Sequence, residues 1–599
     1  MMSIFKEPIS EAVWDMKYRY RQQDQIIDQS IDDTWLRVAK AIASVEKNKE
    51  QAHFQNAFYD ILKDFRFLPG GRILAGAGTA HHVTLFNCFV MHIDEDSLKG
   101  IFDALLEGAL TLQQGGGVGY DFSRLRPRGT LVKSTGIPAS GPVSFMRIWD
   151  TTCKILLSTG ARRGAMMGVL RVDHPDIEEF IEAKKDPQEL RHFNVSVMVT
   201  DEFMKAVKNN TDWPLVFPSK ETEGKDIIHR QWSDAKAIVP CRIYRTVKAR
   251  PLWDKIIHSA YLFAEPGVLF SDTINRLNNL WYREQIAATN PCGEIPLPPY
   301  GACNLGAINL TQFIQSPFSK HASLDWNGIE KTIAIATRFQ DNIIDLSRYP
   351  LEKQAAEAKN TRRIGIGLTG LADAFVMLNI RYGDPESIHL AAKIMKKIAE
   401  ITWLTSIELA EERGAFPLFD KKYLQGEFVK TLDESIQIPL QKYGVRNSHH
   451  NTIAPTGTIS LLANNISNGI EPIYQASYKR HMRMQDDQIK TYTVMDDAYR
   501  KWQSQDKTSY PSAWIEVDQL KPSAHLDMQA AMQKFIDNAI SKTINIPKDF
   551  PFEELIDVYT KSHELGLKGC TIFRPNPVTG RVLESSQEEE KIDRCCSNE

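Results

Sequence analysis

Cysteine is scarce in this sequence, with 8 residues among 599. A secreted disulfide scaffold has a far higher cysteine density, so that class of protein is excluded. The start of the sequence, MMSIFKEPISEAVWDMKYRYR, is polar and charged and does not provide the apolar core of a signal peptide. We therefore expect a cytoplasmic protein whose thiols are kept reduced.

The sequence also lacks an excess of one charge, because 72 Lys and Arg face 75 Asp and Glu, for a net charge of −3. Without a long basic block it has no electrostatic footprint for nucleic acid or for an anionic membrane. Residues 286–310 contain one charged residue, Glu294, but prolines make this segment unsuitable as a membrane helix. We expect it to be buried in protein, with neither nucleic acid nor membrane as a partner.

Hydrophobic spacing divides the chain into three regions. Near the N-terminus apolar residues recur at helical spacing, which predicts a helical N-terminal region over 1–84. From Leu85 onward short β-like runs alternate with longer helical patterns, which predicts βα units and a parallel sheet over 85–578. The last region, 579–599, is polar and acidic and is expected to be a flexible tail.

The most informative local pattern is Asn290-Pro291-Cys292-Gly293-Glu294, inside the low-charge segment. In an extended backbone alternate side chains share a face, so Asn290, Cys292 and Glu294 would bring an amide, a thiol and a carboxyl together. One interpretation is a buried cysteine that acts as a small hydrophobe between turn residues. The other is a reaction centre, because a carboxylate in an apolar setting is costly unless it is paired or used as a general acid or base.

Two further cysteines lie in strand-like runs that are far apart in the sequence. Cys88 lies within residues 85–93, and Cys303 begins the run CNLGAINL. Each alone is typical of a buried core residue. Strands distant in sequence are nevertheless often neighbours in a sheet, so the two thiols could meet as a dithiol.

Two other segments suggest nucleotide chemistry, with different strength. The run PTGTIS from Pro455 combines a turn and hydroxyls before an apolar helical stretch, the arrangement in which a helix N-terminus binds phosphate. An ordinary N-cap explains that pattern equally well. The run Gly115–Gly119 is like a nucleotide loop only superficially, because it has neither a GxGxxG pattern nor a P-loop lysine.

Ten motifs occur in a fixed order along nearly the whole chain. They are LFNCFV around Cys88, QQGGGVGYDFSRLRPRGT from Gln113, SGPVSFMRIWD from Ser140, GARRGAMMGVLRVDHPDIEEFI from Gly160, NPCGEIPL from Asn290, CNLGAINL from Cys303, RRIGIGLTGLAD from Arg362, APTGTIS from Ala454, SNGIEP from Ser467 and GLKGCTIF from Gly566. In this order they resemble the ribonucleotide reductases, most closely the adenosylcobalamin-dependent class II enzymes. The resemblance implies an α/β fold, a ten-stranded α/β barrel of two five-stranded parallel halves with a central finger loop, plus a helical N-terminal region.

The resemblance assigns catalytic roles to five residues. Cys292, at the centre of the barrel, would form the thiyl radical that abstracts the ribose 3′ hydrogen. Glu294 would accept the 3′ hydroxyl proton, and Asn290 would hydrogen-bond the substrate hydroxyls. Cys88 and Cys303 would be the dithiol that reduces the 2′ position while water leaves, and they would end as a disulfide. An enclosed barrel suits this chemistry, because a radical must be kept from side reactions.

The resemblance also implies two sets of nucleotide-binding residues. It places the ribonucleotide substrate at Asn87, Pro455, Thr456, Gly457 and Thr458, with phosphate at the turn before the helix. It places a specificity effector, a dNTP or ATP, at Asp96, Gln113, Arg126, Arg162 and Arg163. The adjacent arginines lie in the segment 158–167, which would link effector identity to the substrate base, although an exposed arginine pair is otherwise typical of solvated surface.

The radical source is inferred by resemblance and elimination within the family. Class I relatives receive their radical through adjacent tyrosines on a late strand, and the corresponding run Lys568–Arg574 contains no tyrosine. The glycyl-radical class carries a glycine motif near its C-terminus, and Asp593–Ser597 contains no glycine. Adenosylcobalamin remains as the expected cofactor, without a cofactor fingerprint in the sequence, and no metal site is predicted.

The tail ends in adjacent cysteines, Cys595 and Cys596, where the family spaces its redox shuttle pair more widely. A vicinal disulfide is a strained eight-membered ring, so it would be easily reduced or would not form. The pair could still pass electrons from a thioredoxin or glutaredoxin-like reductant to Cys88 and Cys303. A homodimer is the family expectation for effector binding at an interface, although monomers also exist in the family.

The resemblance thus implies an oxidoreductase that converts ribonucleotides, diphosphates in preference, to 2′-deoxyribonucleotides. One alternative keeps this chemistry in a class I-type large subunit that needs a radical-generating partner. The other is a non-enzyme, an inactive scaffold with a structural zinc-thiolate site built from Cys88, Cys303, Cys595 and Cys596. Zinc bound at a 1:1 ratio would support the scaffold, and a redox-cycling dithiol would oppose it.

Overall fold

The computed structural model describes residues 4–23, 25–132, 135–158, 162–186, 188–483, 488–575 and 583–585. Its first region is helical, with α1 Pro8–Lys17, α2 Ile31–Ala43 and α3 Gln51–Leu62. The start of α2 is set locally by a capping box, in which the Ser30 hydroxyl and the Asp33 carboxylate accept each other's backbone N–H groups. Its apolar face, including Trp35 and Val38, is buried. The predicted helical N-terminal region is confirmed.

One large sheet lies at the centre of the protein. Its ten strands in the described ranges are β1 Phe67–Pro69, β2 Cys88–Val90, β3 Gly117–Asp121, β4 Met166–Arg171, β5 Phe193–Val199, β6 Gly267–Phe270, β7 Ala302–Asn309, β8 Ile364–Thr369, β9 Thr543–Asn545 and β10 Gly569–Phe573. Their spatial order is β8-β7-β2-β3-β4-β5-β6-β10-β9, with β1 paired to β7.

Two parallel halves meet in this sheet. Strands β2 to β6 are parallel to one another, and so are β7 with β8 and β9 with β10. The halves join antiparallel where β2 meets β7 and where β6 meets β10. Continuous strand pairing leaves the sheet open between β8 and β9. Residues 449–453 lie in this gap and form isolated parallel bridges. The predicted α/β fold is confirmed, although continuous strands do not close the barrel.

Helices connect and cover these strands. After α3 they are α4 Gly71–Gly76, α5 Leu98–Gln113, α6 Pro142–Ile155, α7 Ile177–Glu182, α8 Asp201–Asn209, α9 Ala249–Phe263, α10 Ser271–Arg276, α11 Trp326–Leu346, α12 Glu352–Thr361, α13 Leu371–Met377, α14 Pro385–Arg413, α15 Glu427–Lys430, α16 Glu434–Tyr443, α17 Gly457–Leu462, α18 Asp497–Gln503, α19 Pro522–Gln533 and α20 Phe552–Glu564. Within the part of the chain that the structure describes, no helix is long and apolar enough to cross a membrane.

Shorter strands form ribbons outside the large sheet. Two-stranded ribbons pair Arg21–Gln22 with Gln25–Ile26, Leu157–Ser158 with Arg162–Arg163, Ala288–Thr289 with Pro296–Leu297, and Ile314–Gln315 with Ser323–Leu324. Three-stranded sheets join Asp212–Pro218, Ile238–Lys248 and Ile227–Gln231, and also Ile489–Met495, Ser477–Arg483 and Leu583–Ser585.

The large sheet has two different faces. Alternate residues of a strand point to opposite faces. In β4, Met167 and Val169 belong to a small inner cluster that also contains Cys88 and Cys303. The neighbouring Met166 and Leu170 belong to the extensive outer core under the helices. The sheet therefore encloses a compact interior, and this is where the predicted catalytic cysteines lie.

Candidate active site

A short hairpin carries the predicted catalytic loop into this interior. Its strands Ala288–Thr289 and Pro296–Leu297 pair antiparallel, and the Asn290 amide donates to the Ile295 carbonyl at 3.1 Å. The Gly293 amide donates to the Asn290 carbonyl at 3.1 Å, and Gly293 has a φ of +82°. The segment is therefore a turn, and our expectation of an extended backbone there is wrong. The positive φ of Gly293 reverses the chain within four residues.

Small residues on the sheet let this hairpin approach closely. A Cβ on Gly119 would overlap the carbonyl oxygen of Thr289, and one on Gly117 would lie 3.0 Å from Cγ of Pro291. From β5, the Asn194 side-chain amide donates to the Pro291 carbonyl at 2.8 Å. The glycine-rich run thus makes room for the loop. We did not predict this role from the sequence, although the glycine-rich run itself was a signal for it. We also did not predict the role of Asn194, for which no sequence pattern was available.

Glu294 is held by the other half of the barrel. Its carbonyl oxygen accepts hydrogen bonds from the Ala539 amide at 2.9 Å and the Thr452 hydroxyl at 3.0 Å. Its side chain is buried, and Oε2 has no hydrogen-bond partner among the described residues. Burial raises the pKa of Glu294 to about 7, against the stabilising effect of the nearby Asn290 amide on the ionised form. A carboxyl with that pKa can take up or release a proton near neutral pH.

Cys88 and Cys303 face each other across two antiparallel strands. They are directly opposed in the register of β2 and β7, although 215 positions separate them in the chain. Both carry free thiols and both are buried. Directly opposed antiparallel residues have Cα atoms about 4.5 to 5.5 Å apart, within the ~4.4 to 6.8 Å that a disulfide spans. The arrangement is that of a dithiol able to close into a disulfide.

The dithiol, the carboxyl and the loop cysteine share one electrostatic environment. Burial raises the pKa of Cys88 well above its usual range, and the charges of Glu294, Cys303 and Cys292 raise it further. Burial likewise raises the pKa of Cys303. The Asn290 side-chain amide donates to the Cys88 sulfur at 3.2 Å. Both resting thiols are therefore protonated, as donors of hydrogen must be.

Cys292 differs from its neighbours in exposure. It is exposed, whereas Asn290 and Glu294, two residues away on either side, are almost completely buried. The turn produces this difference, because it places Cys292 at the tip of the loop and buries the side chains of Asn290 and Glu294. The loop therefore offers one sulfur to a ligand while the amide and carboxyl stay in the interior.

The predicted phosphate segment forms the start of α17. Thr456 has a φ of +57°, and its hydroxyl does not cap the helix. Instead it lies 2.9 Å from the Thr369 hydroxyl and accepts a hydrogen bond from the Gly469 amide at 2.8 Å. The ordinary N-cap interpretation is therefore wrong, and the first amides of α17 have no intrahelical acceptor. Asn87, the other predicted substrate residue, has a buried Oδ1 without a hydrogen-bond partner in the described ranges.

The predicted effector residues do not form one cluster within the chain. Arg126 donates from Nε to the Asp96 carboxylate at 2.7 Å, just before the start of α5. Gln113 ends α5, about 24 Å away at 1.5 Å per residue. Arg162 and Arg163 form one strand of the ribbon that contacts α5. The structure thus separates the Asp96–Arg126 pair from Gln113.

Other sequence-predicted features lie elsewhere. The run 568–574 contains β10, where the buried Ile572 is paired with Ile544 of β9. Cys595 and Cys596 lie outside the described residues. Among those described, the one group with metal-type ligand atoms close together is Glu46, Glu50 and Glu412, which contains no cysteine.

Comparison with known proteins assigns the family. The family model for the ribonucleotide reductase barrel domain matches residues 86–573, and the model for the all-alpha domain matches residues 5–82. The chain belongs to the ribonucleotide reductases. The family prediction and the prediction of an oxidoreductase are confirmed.

Ribonucleotide reductases of several organisms are similar over most of this chain. A vitamin B12-dependent ribonucleoside-diphosphate reductase of Mycobacterium tuberculosis (strain CDC 1551 / Oshkosh) is 36% identical over 92% of this chain and 76% of its own length. An enzyme of the same name from Thermoplasma acidophilum is 33% identical over 98% of this chain and 72% of its own. A ribonucleoside-diphosphate reductase subunit alpha of Chlamydia pneumoniae is 25% identical over 91% of this chain and 57% of its own.

Proposed function

We propose that this chain reduces ribonucleoside diphosphates to 2′-deoxyribonucleoside diphosphates, with adenosylcobalamin as the source of the radical. The observation that carries the proposal is the direct opposition of Cys88 and Cys303 beside a loop that presents Cys292 and Glu294. The names of the Mycobacterium and Thermoplasma relatives support both the cofactor and the diphosphate substrate. A reducing cytoplasm suits the reaction, because the dithiol must be regenerated.

The exposed loop tip fits an external radical source. Cys292 is exposed while the residues around it are buried, so a bulky cofactor would meet the chain at this sulfur. In the run 568–574, Ile572 and Phe573 occupy the part of the strand where class I relatives have adjacent tyrosines. Neither side chain has a phenol that could carry a radical. Adenosylcobalamin, when bound, supplies the radical that removes the hydrogen atom of the Cys292 thiol.

Cys292 and Glu294 then carry out the two parts of the first chemical step. The Cys292 thiyl radical takes the 3′ hydrogen atom of the ribose, and the Glu294 carboxylate accepts the 3′ hydroxyl proton. The pKa of Glu294, raised by burial to about 7, matches the operating pH of a cytoplasmic base. Asn290 is proposed to hydrogen-bond the substrate hydroxyls; without substrate, its side-chain amide donates to Cys88 and favours the ionised form of Glu294.

The dithiol supplies the reducing equivalents. Cys88 and Cys303 together give up two electrons and two hydrogens and form a disulfide. The 2′ carbon–oxygen bond breaks, one hydrogen replaces the hydroxyl at carbon 2′, and the oxygen leaves as water. Cys292 returns the 3′ hydrogen atom and Glu294 returns the proton to the 3′ oxygen, so the thiyl radical and the carboxylate base are both regenerated. Protonated resting thiols, favoured by burial, are the correct starting state for this step.

Substrate phosphate binding is proposed at residues 455–458, and Asn87 is proposed as a further substrate residue. The amides at the start of α17 have no acceptor within the helix, which is how helix N-termini bind phosphate. The buried Oδ1 of Asn87 lacks a partner and could accept from the substrate. The specificity effector, a dNTP or ATP, is proposed at Asp96, Gln113, Arg126, Arg162 and Arg163.

A homodimer is proposed from the exposed face of α5. Four large apolar residues recur every fourth position along this helix and stay exposed: Leu98 at 66%, Phe102 at 49%, Leu106 at 59% and Leu110 at 39%. A continuous apolar stripe on a surface helix marks an interface. A two-fold axis beside α5 would set the Asp96 end of one helix near the Gln113 end of its partner. Such a dimer would reunite effector residues that one chain keeps apart.

The tail cysteines Cys595 and Cys596 are proposed to relay electrons from a thioredoxin or glutaredoxin-like protein to the disulfide of Cys88 and Cys303. The division into a helical region 1–84, a catalytic barrel 85–578 and a tail 579–599 is likewise a proposal. Limited proteolysis of the purified chain, with the fragments identified by mass, would check these boundaries.

The deciding experiment measures product from the purified chain alone. CDP or CTP is incubated with a small dithiol and an effector nucleotide, with and without adenosylcobalamin. We expect deoxy product from CDP only when the cofactor is present. If product forms only after a radical-generating protein is added, the class I alternative replaces this proposal. Zinc bound at a 1:1 ratio without any product would favour the inactive scaffold.

A further inference from the structure

The described residues of the C-terminal tail pair with a strand in the body of the protein. Leu583–Ser585 pairs antiparallel with Ser477–Arg483, the first strand of the hairpin formed with Ile489–Met495. The register sets Arg480 opposite Leu583, Lys479 opposite Glu584 and Tyr478 opposite Ser585. The tail strand therefore extends a two-stranded hairpin to three strands.

Both backbone and charge favour this pairing. Ser477–Arg483 is the central strand of the three, so without the tail one of its edges would present unpaired backbone groups. The hairpin strand carries Lys479, Arg480 and His481, whereas the tail carries Glu584 and the acidic run 588–590. The hairpin edge thus suits an acidic extended peptide from this same chain.

The direction of the pairing carries the tail towards the segment that follows α17. Because the strands are antiparallel, the tail runs from Arg480 back to Tyr478, towards the base of the hairpin. The Tyr478 hydroxyl donates to Oδ1 of Asn465 at 2.9 Å. The backbone amide of Asn465 donates to the Ser460 carbonyl at 3.0 Å, near the C-terminal end of α17. The described part of the tail therefore ends opposite Tyr478, the residue whose side chain contacts this segment.

We infer that the strand pair Ser477–Arg483 and Ile489–Met495 is a docking site for the C-terminal tail, and that it resets the tether of Cys595 and Cys596 to begin at Ser585. Cys595 is twenty residues beyond Pro575 but only ten beyond Ser585. An extended chain of ten residues spans at most about 36 Å. A shorter tether that starts beside the barrel raises the effective concentration of the tail thiols at the dithiol. The effect on electron relay rests on the proposed role of Cys595 and Cys596, whereas the docking itself does not.

Cross-linking tests the docking without any enzyme activity. The Arg480→Cys, Leu583→Cys double variant is oxidised in a Cys595→Ser, Cys596→Ser background, and linked peptides are identified by mass spectrometry. Directly opposed residues meet the Cα distance of a disulfide. The Arg480→Cys, Ser585→Cys pair, two residues out of register, is the matched control. We expect the in-register pair to cross-link far faster. Equal rates, or no link in either, would overturn the docking.

Two insertions test whether the docked strand resets the tether. The same ten-residue Gly/Ser segment is inserted after Gly580, before the docked strand, or after Glu590, beyond it. Turnover with a thioredoxin-type donor is measured under conditions in which reduction of the active-site disulfide limits the rate. With docking, the insertion at 590 lowers this rate about 2.8-fold, by the −3/2 power of tether length, and the insertion at 580 leaves it unchanged. Without docking, both lower it equally, about 1.8-fold.

The two experiments separate the possible failures. Turnover with a small dithiol is measured for both insertions and should be unchanged, because it bypasses the tail. If cross-linking is specific for the register but neither insertion alters turnover with the thioredoxin-type donor, the docking stands. The reset tether and the proposed relay are then both overturned. Equal slowing by both insertions would retain the relay and overturn the reset tether.

Discussion

In the barrel interior, sheet pairing brings the Cys88 thiol to an amide, a carboxyl and two further thiols that lie more than 200 positions later in the same chain. Along α5, by contrast, Asp96 and Gln113 lie at opposite ends of one helix, about 24 Å apart, beside an apolar stripe left exposed. The interior is assembled by sheet pairing within the chain. The residues around α5 that are proposed to bind an effector do not meet within one chain. The contrast separates two proposals, a reaction centre built from a single chain and an effector site completed by a second copy.

The strongest test of the interior is Cys292→Ser. We expect turnover to fall by more than about 10³-fold while the thermal unfolding midpoint stays close to that of the parent, because the exposed side chain contributes chemistry and not packing. Product formation and a melting curve are measured together. Cys241→Ser is the matched control, since that thiol is buried outside the large sheet. Substantial activity in Cys292→Ser would remove the thiyl role.

Glu294→Gln tests the proton acceptor. We expect kcat to fall by about 10²- to 10⁴-fold with a smaller change in KM, because proton transfer is lost while the shape is kept. The parent rate should rise with pH through about 7, the pKa to which burial raises Glu294, and the variant should lose that limb. A change confined to KM would contradict the assignment.

The same variant has a stability signature with a definite sign. The pKa of Glu294 in the folded protein, raised by burial to about 7, lies above the 4.5 of an ordinary glutamate. Its contribution to stability is therefore complete below pH 4.5 and is lost as the pH rises through 7. Urea unfolding at several pH values should show the parent losing stability relative to Glu294→Gln across this window. Parallel pH profiles would mean that the carboxyl is not buried in this way.

Gly119→Ala tests the room that the sheet leaves for the catalytic hairpin. The added methyl would overlap the Thr289 carbonyl, so we expect destabilisation by about 1 to 3 kcal/mol and a clear loss of turnover. Gly426→Ala, at the residue before α15, is the control, because its added Cβ would lie 3.3 Å from its nearest neighbour and would not overlap it. Denaturant unfolding and product formation are compared. Equal effects of the two substitutions would show that close approach at Gly119 is not required.

Leu106→Glu tests the surface around α5. The residue is 59% exposed, so stability of the single chain should change by no more than about 0.5 kcal/mol. In a dimer joined through α5 the charge would be buried, so sedimentation should show a shift to monomer and effector stimulation should vanish. Leu36→Glu, on α2 at 41% exposure, is the matched control. An unchanged dimer would move the interface away from α5.

Arg126→Ala should have the smallest effect on the fold. Partly exposed ion pairs such as Arg126 with Asp96 contribute about 0 to 1 kcal/mol. We expect weaker binding of the effector nucleotide, measured by calorimetry, and unchanged turnover in its absence. Gln113→Ala should weaken effector binding similarly if the two ends meet across a dimer. An effect of Arg126→Ala alone would confine the effector to the Asp96 end.

Local features of the sequence were sufficient for much of the architecture. The spacing of Trp35 and Val38 indicated the buried face of α2, and the alternating β-like and helical runs indicated an α/β fold. Local sequence was least reliable where one residue changes the direction of the chain. Residues 290–294 were expected to be extended, but a turn at Gly293 instead exposes Cys292 and buries both flanking side chains.

Ten ordered motifs were enough to identify the family and the residue types expected at the reaction centre. Folding was needed to reveal that Cys88 faces Cys303, that Gly119 makes room for Thr289, and that Asn194 and Thr452 hold the loop from opposite halves of the barrel. The physical reason is that side-chain periodicity reports which face a residue occupies. Register between distant strands, by contrast, is set by the packing of the whole sheet.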